Sequence, residues 1–164
     1  PVEAVTTMDN VAQSVESDPT YRQVIEASRT VARKTVADGI VAAAREIAES
    51  TDISAICCFT QSGRTVSLVA RERPHVPIIA LSPVTATLRR YALTWGVHCV
   101  RCDEVDRFKG AVVAAARAAR RDGFADETNQ IVVTAGVPFN VPGTTNILRV
   151  APCDERLIYR TDPE

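Results

Sequence analysis

Short apolar runs alternate with amphipathic segments along this sequence, and this alternation limits the possible folds more than any other feature. From residue 28 onwards, helix and strand are predicted in turn until two strands close the pattern. The predicted strands are residues 53–59, 76–81, 97–102, 131–135 and 146–150. Continuous apolar strands that alternate with helices are typical of a mostly parallel sheet covered on both faces. No helix fits between the last two strands, so the fifth should run antiparallel at an edge. The predicted class is α/β, with a five-stranded sheet between two layers of helices, that is, three layers in the order αβα.

The helices are predicted from apolar residues at three- and four-residue spacing. They are expected at residues 2–17, 28–50, 65–73, 85–95 and 105–123. Residues 20–27 are ambiguous and are interpreted as a short connector. The polar tail over residues 152–164 is expected to be an extra edge strand or a loose end.

Composition excludes several classes of protein. The chain has 164 residues, of which 46% are apolar and 24% charged, and its net charge is −1. Such a chain can bury a core, and no global field draws it to nucleic acid or to an anionic membrane, so we expect neither partner. The sequence has no run of about 18 apolar residues, so we expect no membrane span. The first residues do not resemble a signal peptide. The odd number of cysteines favours a reducing compartment, and we expect a cytoplasmic protein.

Two of the five cysteines form a C-x-x-C sequence, Cys99 to Cys102. In a redox motif such a pair opens a helix, whose N-terminus lowers the pKa of a thiol. Here the pair falls inside a predicted strand, where the two side chains should differ in direction. We interpret both as structural. A thiol redox protein is the alternative, and thiols with ordinary pKa values near 8.5 would exclude it.

The first predicted strand runs into a helix through a polar turn with one glycine. The turn consists of Thr60, Gln61, Ser62, Gly63, Arg64 and Thr65. In doubly wound sheets ligands bind beyond the carboxyl ends of strands, and a helix N-terminus offers free N–H groups to an anion. Gly63 would let the backbone approach a ligand, and Arg64 has the planar fork that suits phosphate. The alternative is an N-capped turn with an exposed arginine.

A second loop that bears glycine and threonine follows the fourth predicted strand. It contains Pro142, Gly143 and Thr144. If the first and fourth strands are neighbours, as in the order 3-2-1-4-5, the two loops face each other as the walls of one pocket. Neither loop is a Walker P-loop or a G-x-G-x-x-G sequence.

The sequence offers no recognisable catalytic constellation. His75 and His98 are not placed with a nucleophile and a carboxylate in a known motif. The carboxylates cluster at loop and helix-start positions, which are typical of caps and solvated charge. We therefore assign no catalytic residue and no metal ligand. A free-standing α/β enzyme or binding protein for a phosphorylated small molecule stays an alternative, with Asp103 as its weakly placed acid or base.

Four stretches resemble the carboxyl-terminal domain of pyruvate kinase in order and spacing. They are FTQSGRT, ARERPHVPIIALSP, ALTWGVHCV and IVVTAGVPFNVPGTTNILRV. The opening PVEAVTTM resembles the segment that follows the last strand of the family's catalytic barrel. The resemblance implies the strand order 3-2-1-4-5. It also implies three parts, with residues 1–19 as the last barrel helix, 20–151 as the carboxyl-terminal domain and 152–164 as a tail.

The resemblance also implies a role. Pyruvate kinase transfers phosphoryl from phosphoenolpyruvate to ADP, giving pyruvate and ATP, in a barrel that uses Mg²⁺ and usually K⁺. Motifs of that barrel are absent here, so we expect no cofactor and no turnover by this chain alone. In the family this domain packs in a homotetramer, and in regulated members the loop matching Thr60 to Thr65 binds a phosphorylated effector. Gln61 stands where several bisphosphate-regulated members have a basic or hydroxyl residue. The resemblance therefore leaves four alternatives open, namely fructose 1,6-bisphosphate, AMP, a sugar monophosphate and no effector.

The helix predicted at residues 2–17 carries an apolar stripe. Val5, Met8, Val11 and Val15 fall on one face at helical spacing. Burying each such side chain contributes about 1.5 kcal/mol or more, so we expect the stripe to pack against another surface.

Overall fold

The computed structural model describes residues 1–28, 34–139, 141 and 144–161. The chain divides into two compact units, Pro1–Val31 and Ala32–Glu164. The described elements, in chain order, are α1 (Val2–Glu16), α2 (Pro19–Ala27), α3 (Val36–Ser50), β1 (Ile53–Phe59), α4 (Arg64–Arg71), β2 (Ile78–Ser82), α5 (Thr85–Tyr91), β3 (Val97–Arg101), α6 (Phe108–Arg121), β4 (Gln130–Ala135), β5 (Ile147–Pro152) and α7 (Glu155–Thr161).

The five strands form one sheet in the order β3-β2-β1-β4-β5. β1 pairs in parallel with β2 on one side and with β4 on the other, so that Cys57 lies between Ile79 and Val133. β2 and β3 are also parallel, whereas β4 and β5 are antiparallel. The predicted strand order and the antiparallel fifth strand are confirmed.

The sheet buries a hydrophobic cluster on each of its faces. Alternate residues of β1 point to opposite sides, as the pleat of a strand requires. Cys57 and Phe59 pack with α6 and α7, whereas Ile56 and Cys58 pack with α3 and α4. The α6 helix fits closely because small side chains face the sheet, namely Ala111, Ala115, Ala116, Ala118 and Ala119. Burial on both faces explains why the strands read as continuous apolar runs.

The first unit consists of α1 and α2, and none of their residues is buried within the chain. The segment interpreted as a connector is the helix α2, because Asp18 accepts the Thr20 N–H at 2.7 Å and Pro19 occupies the first helical position. The helix predicted at 28–50 is too long. Ser28 ends α2, and Thr35 caps α3 by accepting the N–H of Asp38 at 3.2 Å. The intervening residues 29–33 lie outside the described part.

The prediction of an edge strand or a loose end for residues 152–164 is wrong for most of the segment, because Glu155–Thr161 forms a helix. Strand β5 ends at Pro152, and the helix α7 follows it. Cys153 and Ile158 are fully buried in the same cluster as α6, and Asp154 accepts the Arg156 N–H at 2.9 Å at the helix start. Two apolar residues five positions apart gave too weak a periodicity to predict this helix. Residues 162–164 lie outside the described part.

Candidate functional site

A cleft opens at the carboxyl ends of β1 and β4, where the chain continues from β1 toward β2 and from β4 toward β5, in opposite directions across the sheet. One wall is the turn from β1 to α4, and the other is the connection from β4 to β5. The described residues that line the cleft are Phe59, Thr60, Gln61, Ser62, Arg64, Thr65, Gly136, Phe139, Val141, Thr144 and Thr145. This is the switch point at which open α/β sheets bind ligands.

The first wall is a tight turn closed by its own side chains. Thr60 accepts the Gly63 N–H on its hydroxyl at 3.0 Å, and the Thr60 N–H donates to the Leu81 carbonyl at 3.0 Å. Gly63 has a φ of 83°, a left-handed conformation that L-residues avoid, and α4 begins at the next residue. Side chains at this position are excluded further, because a Cβ on Gly63 would overlap the ring of Tyr91.

The start of α4 has backbone donors at the cleft, where Arg64 and Thr65 are lining residues. A helix leaves its first four N–H groups without intrahelical acceptors. Here the Ser67 N–H reaches the Gly63 carbonyl at 3.1 Å, but no described residue accepts the N–H groups of Thr65 and Val66. Arg64 is exposed and forms no ion pair with another described residue. The turn therefore combines two free amides, one exposed cation and the positive end of a helix.

The second wall is braced by Asn146. Its side chain accepts the Val137 N–H at 2.9 Å and donates to the Val137 carbonyl at 2.5 Å. Gly136 packs against the Thr144 carbonyl so closely that any side chain at residue 136 would overlap it. Thr144 donates its hydroxyl to the Val141 carbonyl at 2.9 Å. The predicted wall residues Pro142 and Gly143 lie outside the described part of the chain.

A direct hydrogen bond joins the two walls. The hydroxyls of Thr65 and Thr145 lie 2.7 Å apart, and both residues are buried. One hydroxyl donates to the other, so one proton of the pair is left to donate elsewhere. Phe59 and Phe139 add a second contact, an edge-to-face pair with ring centroids 5.6 Å apart. The walls therefore form one shaped cleft.

Six of the residues predicted for the site line this cleft together, and one does not. Thr60, Gln61, Ser62, Arg64, Thr65 and Thr144 line it. Gly63 instead faces Tyr91, so its role is to shape the turn rather than to admit a ligand. Sequence reasoning missed the lining residues Phe59, Gly136, Phe139, Val141 and Thr145. Thr145 directly follows Thr144, and this hydroxyl pair was the signal that could have found it.

The described lining residues include no group suited to acid–base catalysis. They contain one arginine, four threonines, one serine and one glutamine, but no His, Asp, Glu, Cys or Lys. Asp103 does not line this cleft. The described lining offers hydroxyls, backbone amides and a guanidinium, which are groups that can bind anions.

The two thiols of the C-x-x-C sequence do not form a site. Cys99 packs against the cluster on one face of the sheet and Cys102 against the cluster on the other, as predicted from their strand context. Burial raises the pKa of the Cys99 thiol, and burial with the nearby Asp103 charge raises the pKa of Cys102 to about 11. A reactive thiol needs a lowered pKa, so the redox alternative is not supported.

These features define a mostly parallel α/β domain with a polar cleft at the switch point of its sheet. Residues 38–151 match the family described as "Pyruvate kinase, alpha/beta domain". The chain belongs to the pyruvate kinase family through this domain.

Pyruvate kinases from three bacteria illustrate the relationship. The chain is 39% identical over 151 residues to the pyruvate kinase of Methylorubrum extorquens, and that match covers 92% of this chain and 32% of the relative. It is 35% identical to the pyruvate kinases of Clostridium acetobutylicum and Geobacillus stearothermophilus, covering 32% and 26% of them. The chain thus spans about a third or less of the relatives that it matches.

A solved structure supports the fold. The structure titled "Cryptosporidium parvum pyruvate kinase in complex with ADP" matches with a TM-score of 0.71 over 81% of this chain and 27% of that one, at 21% identity. None of the helices in the described residues is long and apolar enough to cross a membrane.

Proposed function

We propose that this chain is the regulatory and assembly domain of a pyruvate kinase, which transfers phosphoryl from phosphoenolpyruvate to ADP. The family match over residues 38–151 supports the assignment to the domain. We place the catalytic chemistry in the remaining part of such an enzyme, together with Mg²⁺, K⁺ and the nucleotide. No group of three or more His, Cys, Asp or Glu in the described residues could hold a metal ion.

The cleft binds the phosphate of a sugar phosphate or of AMP in this proposal. The observation that carries it is the coincidence of Arg64, the hydroxyls of the lining and the free amide of Thr65 around a cleft whose described lining has no acid–base residue, with the free amide of Val66 next in the chain. The amides of Thr65 and Val66 and the guanidinium of Arg64 hold the phosphate oxygens, while Phe59, Phe139 and Val141 supply apolar surface for the rest of the ligand. This arrangement favours a binding site over the alternative of a free-standing enzyme.

Calorimetric titration with fructose 1,6-bisphosphate, AMP and ribose 5-phosphate tests the cleft. A charge-assisted hydrogen bond contributes about 1.5–3 kcal/mol. Arg64→Ala should therefore weaken the ligand that binds by about 10- to 150-fold. Arg89→Ala is the matched control, because Arg89 is also exposed but does not line the cleft. Equal affinity in wild type and Arg64→Ala would contradict the proposal, as would the failure of all three ligands to bind the parent enzyme.

The helix α1 supports the assembly part of the proposal. Its apolar side chains Val2, Val5, Met8, Val11 and Val15 are 53–79% exposed within the chain. Such a stripe on a single helix lacks the cover that apolar surface requires in water. We propose that the catalytic barrel of the parent protein covers it, with α1 as the last barrel helix, and that the parent assembles as a homotetramer.

Light scattering of the isolated chain tests whether the exposed apolar stripe of α1 causes self-association. Without a barrel to cover the stripe, the chain should associate with itself, and Met8→Gln combined with Val11→Gln should shift it toward the monomer. Thr6→Gln combined with Asn10→Gln is the matched control, since both of these residues are exposed polar positions of the same helix. A wild-type chain that stays monomeric with α1 folded and its stripe bare would refute this part of the proposal.

A further inference from the structure

Two side chains of α5 hold the turn at residues 60–65 from outside the cleft. Thr87 donates its hydroxyl to the Gln61 carbonyl at 2.6 Å. The Tyr91 hydroxyl lies 2.6 Å from Ser67 Oγ, in the first turn of α4. Residues four positions apart share one face of a helix, so a single face of α5 contacts both the start of the turn and the helix that follows it.

Tyr91 also fills the space that the missing side chain of Gly63 leaves. The ring lies where a Cβ on Gly63 would be, and Gly63 has its left-handed φ of 83° at this point. The Gly63 carbonyl accepts the Ser67 N–H at 3.1 Å, so Tyr91 contacts both residues that this hydrogen bond at the start of α4 joins. A movement of the turn would therefore have to displace the ring or break the bond to Ser67.

Neither α5 residue belongs to the ligand surface. The described lining of the cleft includes Gln61 and Thr65 but not Thr87 or Tyr91. Thr87 is buried, and its hydroxyl is used by the turn itself. Any effect of these two residues on a ligand must therefore be transmitted by the conformation of the turn.

We propose that Thr87 and Tyr91 are positioning residues for the cleft, an inference that rests on the proposed phosphate site. They hold the turn with the N–H groups of Thr65 and Val66 directed to the cleft before a ligand arrives. A preformed turn has less conformational entropy to lose on binding, so the affinity rises without any added contact to the ligand.

The experiment follows the amide resonances of Thr65 and Val66 by NMR as inorganic phosphate, and then AMP, is added to the full chain. Thr87→Val removes a hydroxyl at constant shape, and Tyr91→Phe removes a hydroxyl while keeping the ring. Each should raise the Kd about 2- to 10-fold, the effect of one neutral hydrogen bond, and should leave the thermal midpoint within a few degrees. Thr87→Ser, which keeps the hydroxyl, should bind like the wild type.

Thr85→Val and Tyr159→Phe are the matched controls, because both residues are exposed and neither lines the cleft. If Arg64→Ala weakens binding but Thr87→Val and Tyr91→Phe do not, the positioning role is wrong and the phosphate site stands. If Thr87→Ser binds as weakly as Thr87→Val, the hydroxyl of Thr87 is not what holds the turn. If Arg64→Ala has no effect, or neither probe shifts the two amides, the phosphate site and this inference fall together.

Discussion

Two segments follow strands at their carboxyl ends, and only one of them runs straight into a helix. The turn after β1 enters α4 at once, with Arg64 as the first residue of the helix. The segment after β3 runs from Cys102 to Arg107 before α6 begins. The first therefore combines a strand end with a helix N-terminus, whereas the second separates them.

This difference shows that the function of a short sequence motif depends on where the fold places it. The spacing of Cys99 and Cys102 fits a redox pair, yet the two thiols face opposite sides of the sheet. The residues of the turn match no nucleotide-binding pattern, yet five of them line one cleft at the switch point.

The largest effect is expected for Gly63→Val. A left-handed φ costs an L-residue about 1–2 kcal/mol, and overpacking against Tyr91 adds about 1–3 kcal/mol. We expect the free energy of unfolding, measured in urea, to fall by about 2–5 kcal/mol, together with a loss of phosphate binding. The cause of this loss is that Gly63 is buried against the ring of Tyr91.

Gly96→Val is the control for that substitution. Gly96 has a φ of 67°, but a Cβ there would meet no atom within 4 Å. It should therefore show the backbone cost alone, about 1–2 kcal/mol, and keep phosphate binding. Equal losses of stability in the two variants would show that Tyr91 does not constrain the turn.

A smaller effect is expected in the reactivity of Cys102. Its pKa of about 11 leaves little thiolate at neutral pH. Alkylation by iodoacetamide at pH 8, followed by mass spectrometry, should be roughly 10- to 100-fold slower in the folded chain than in urea, and the rate should still rise above pH 9. A rate that levels off below pH 8.5 would instead restore the redox interpretation of this segment.

The smallest effect concerns Asp122, which connects β3 to the end of α6. Hydrogen bonds from Arg121 and His98 lower the pKa of its carboxyl from 3.8 to about 2. A lowered pKa in the folded state stabilises the protein above about pH 4, and this contribution disappears as the pH falls toward 2. Asp122→Asn should therefore cost about 0.5–1 kcal/mol at pH 7, since His98 and Arg121 are largely exposed and screened.

Urea unfolding at pH 7, 4 and 2 measures that dependence. The loss of unfolding free energy caused by Asp122→Asn should be smaller at pH 4 than at pH 7 and smaller still at pH 2. Phosphate binding by this variant at pH 7 should match the wild type. A deficit that is the same at pH 2 and pH 7 would show that the charge of Asp122 has no part in it.

Much of the fold could be predicted from the sequence, because strands buried on both faces leave uninterrupted apolar runs. The β1–α4 turn was also predictable, since Gly63 and the polar residues around it follow such a run directly. Helix α7 was not, because only Cys153 and Ile158 anchor it in the core. Helix α2 was missed because its turns bury no apolar residue within the chain.

The site was predicted in part for a similar reason. Hydroxyls and the cation are visible as residue types, so most of the first wall could be proposed from its composition. The apolar residues of the cleft were not, because Phe59 ends a strand and Phe139 lies in a loop, and both resemble ordinary core residues. Thr87 and Tyr91 were missed because their contacts with the turn depend on how α5 packs, which no local pattern encodes.

We propose above all that a phosphate group binds in the cleft at the N-terminus of α4. A crystal structure grown without sulfate or phosphate, and then soaked with AMP and with fructose 1,6-bisphosphate, tests it most directly. The account predicts phosphate oxygens within about 3.2 Å of the amide nitrogens of Thr65 and Val66 and of the Arg64 guanidinium. A phosphate bound elsewhere on the domain, with Arg64 turned to solvent and the two amides bound only to water, would contradict it.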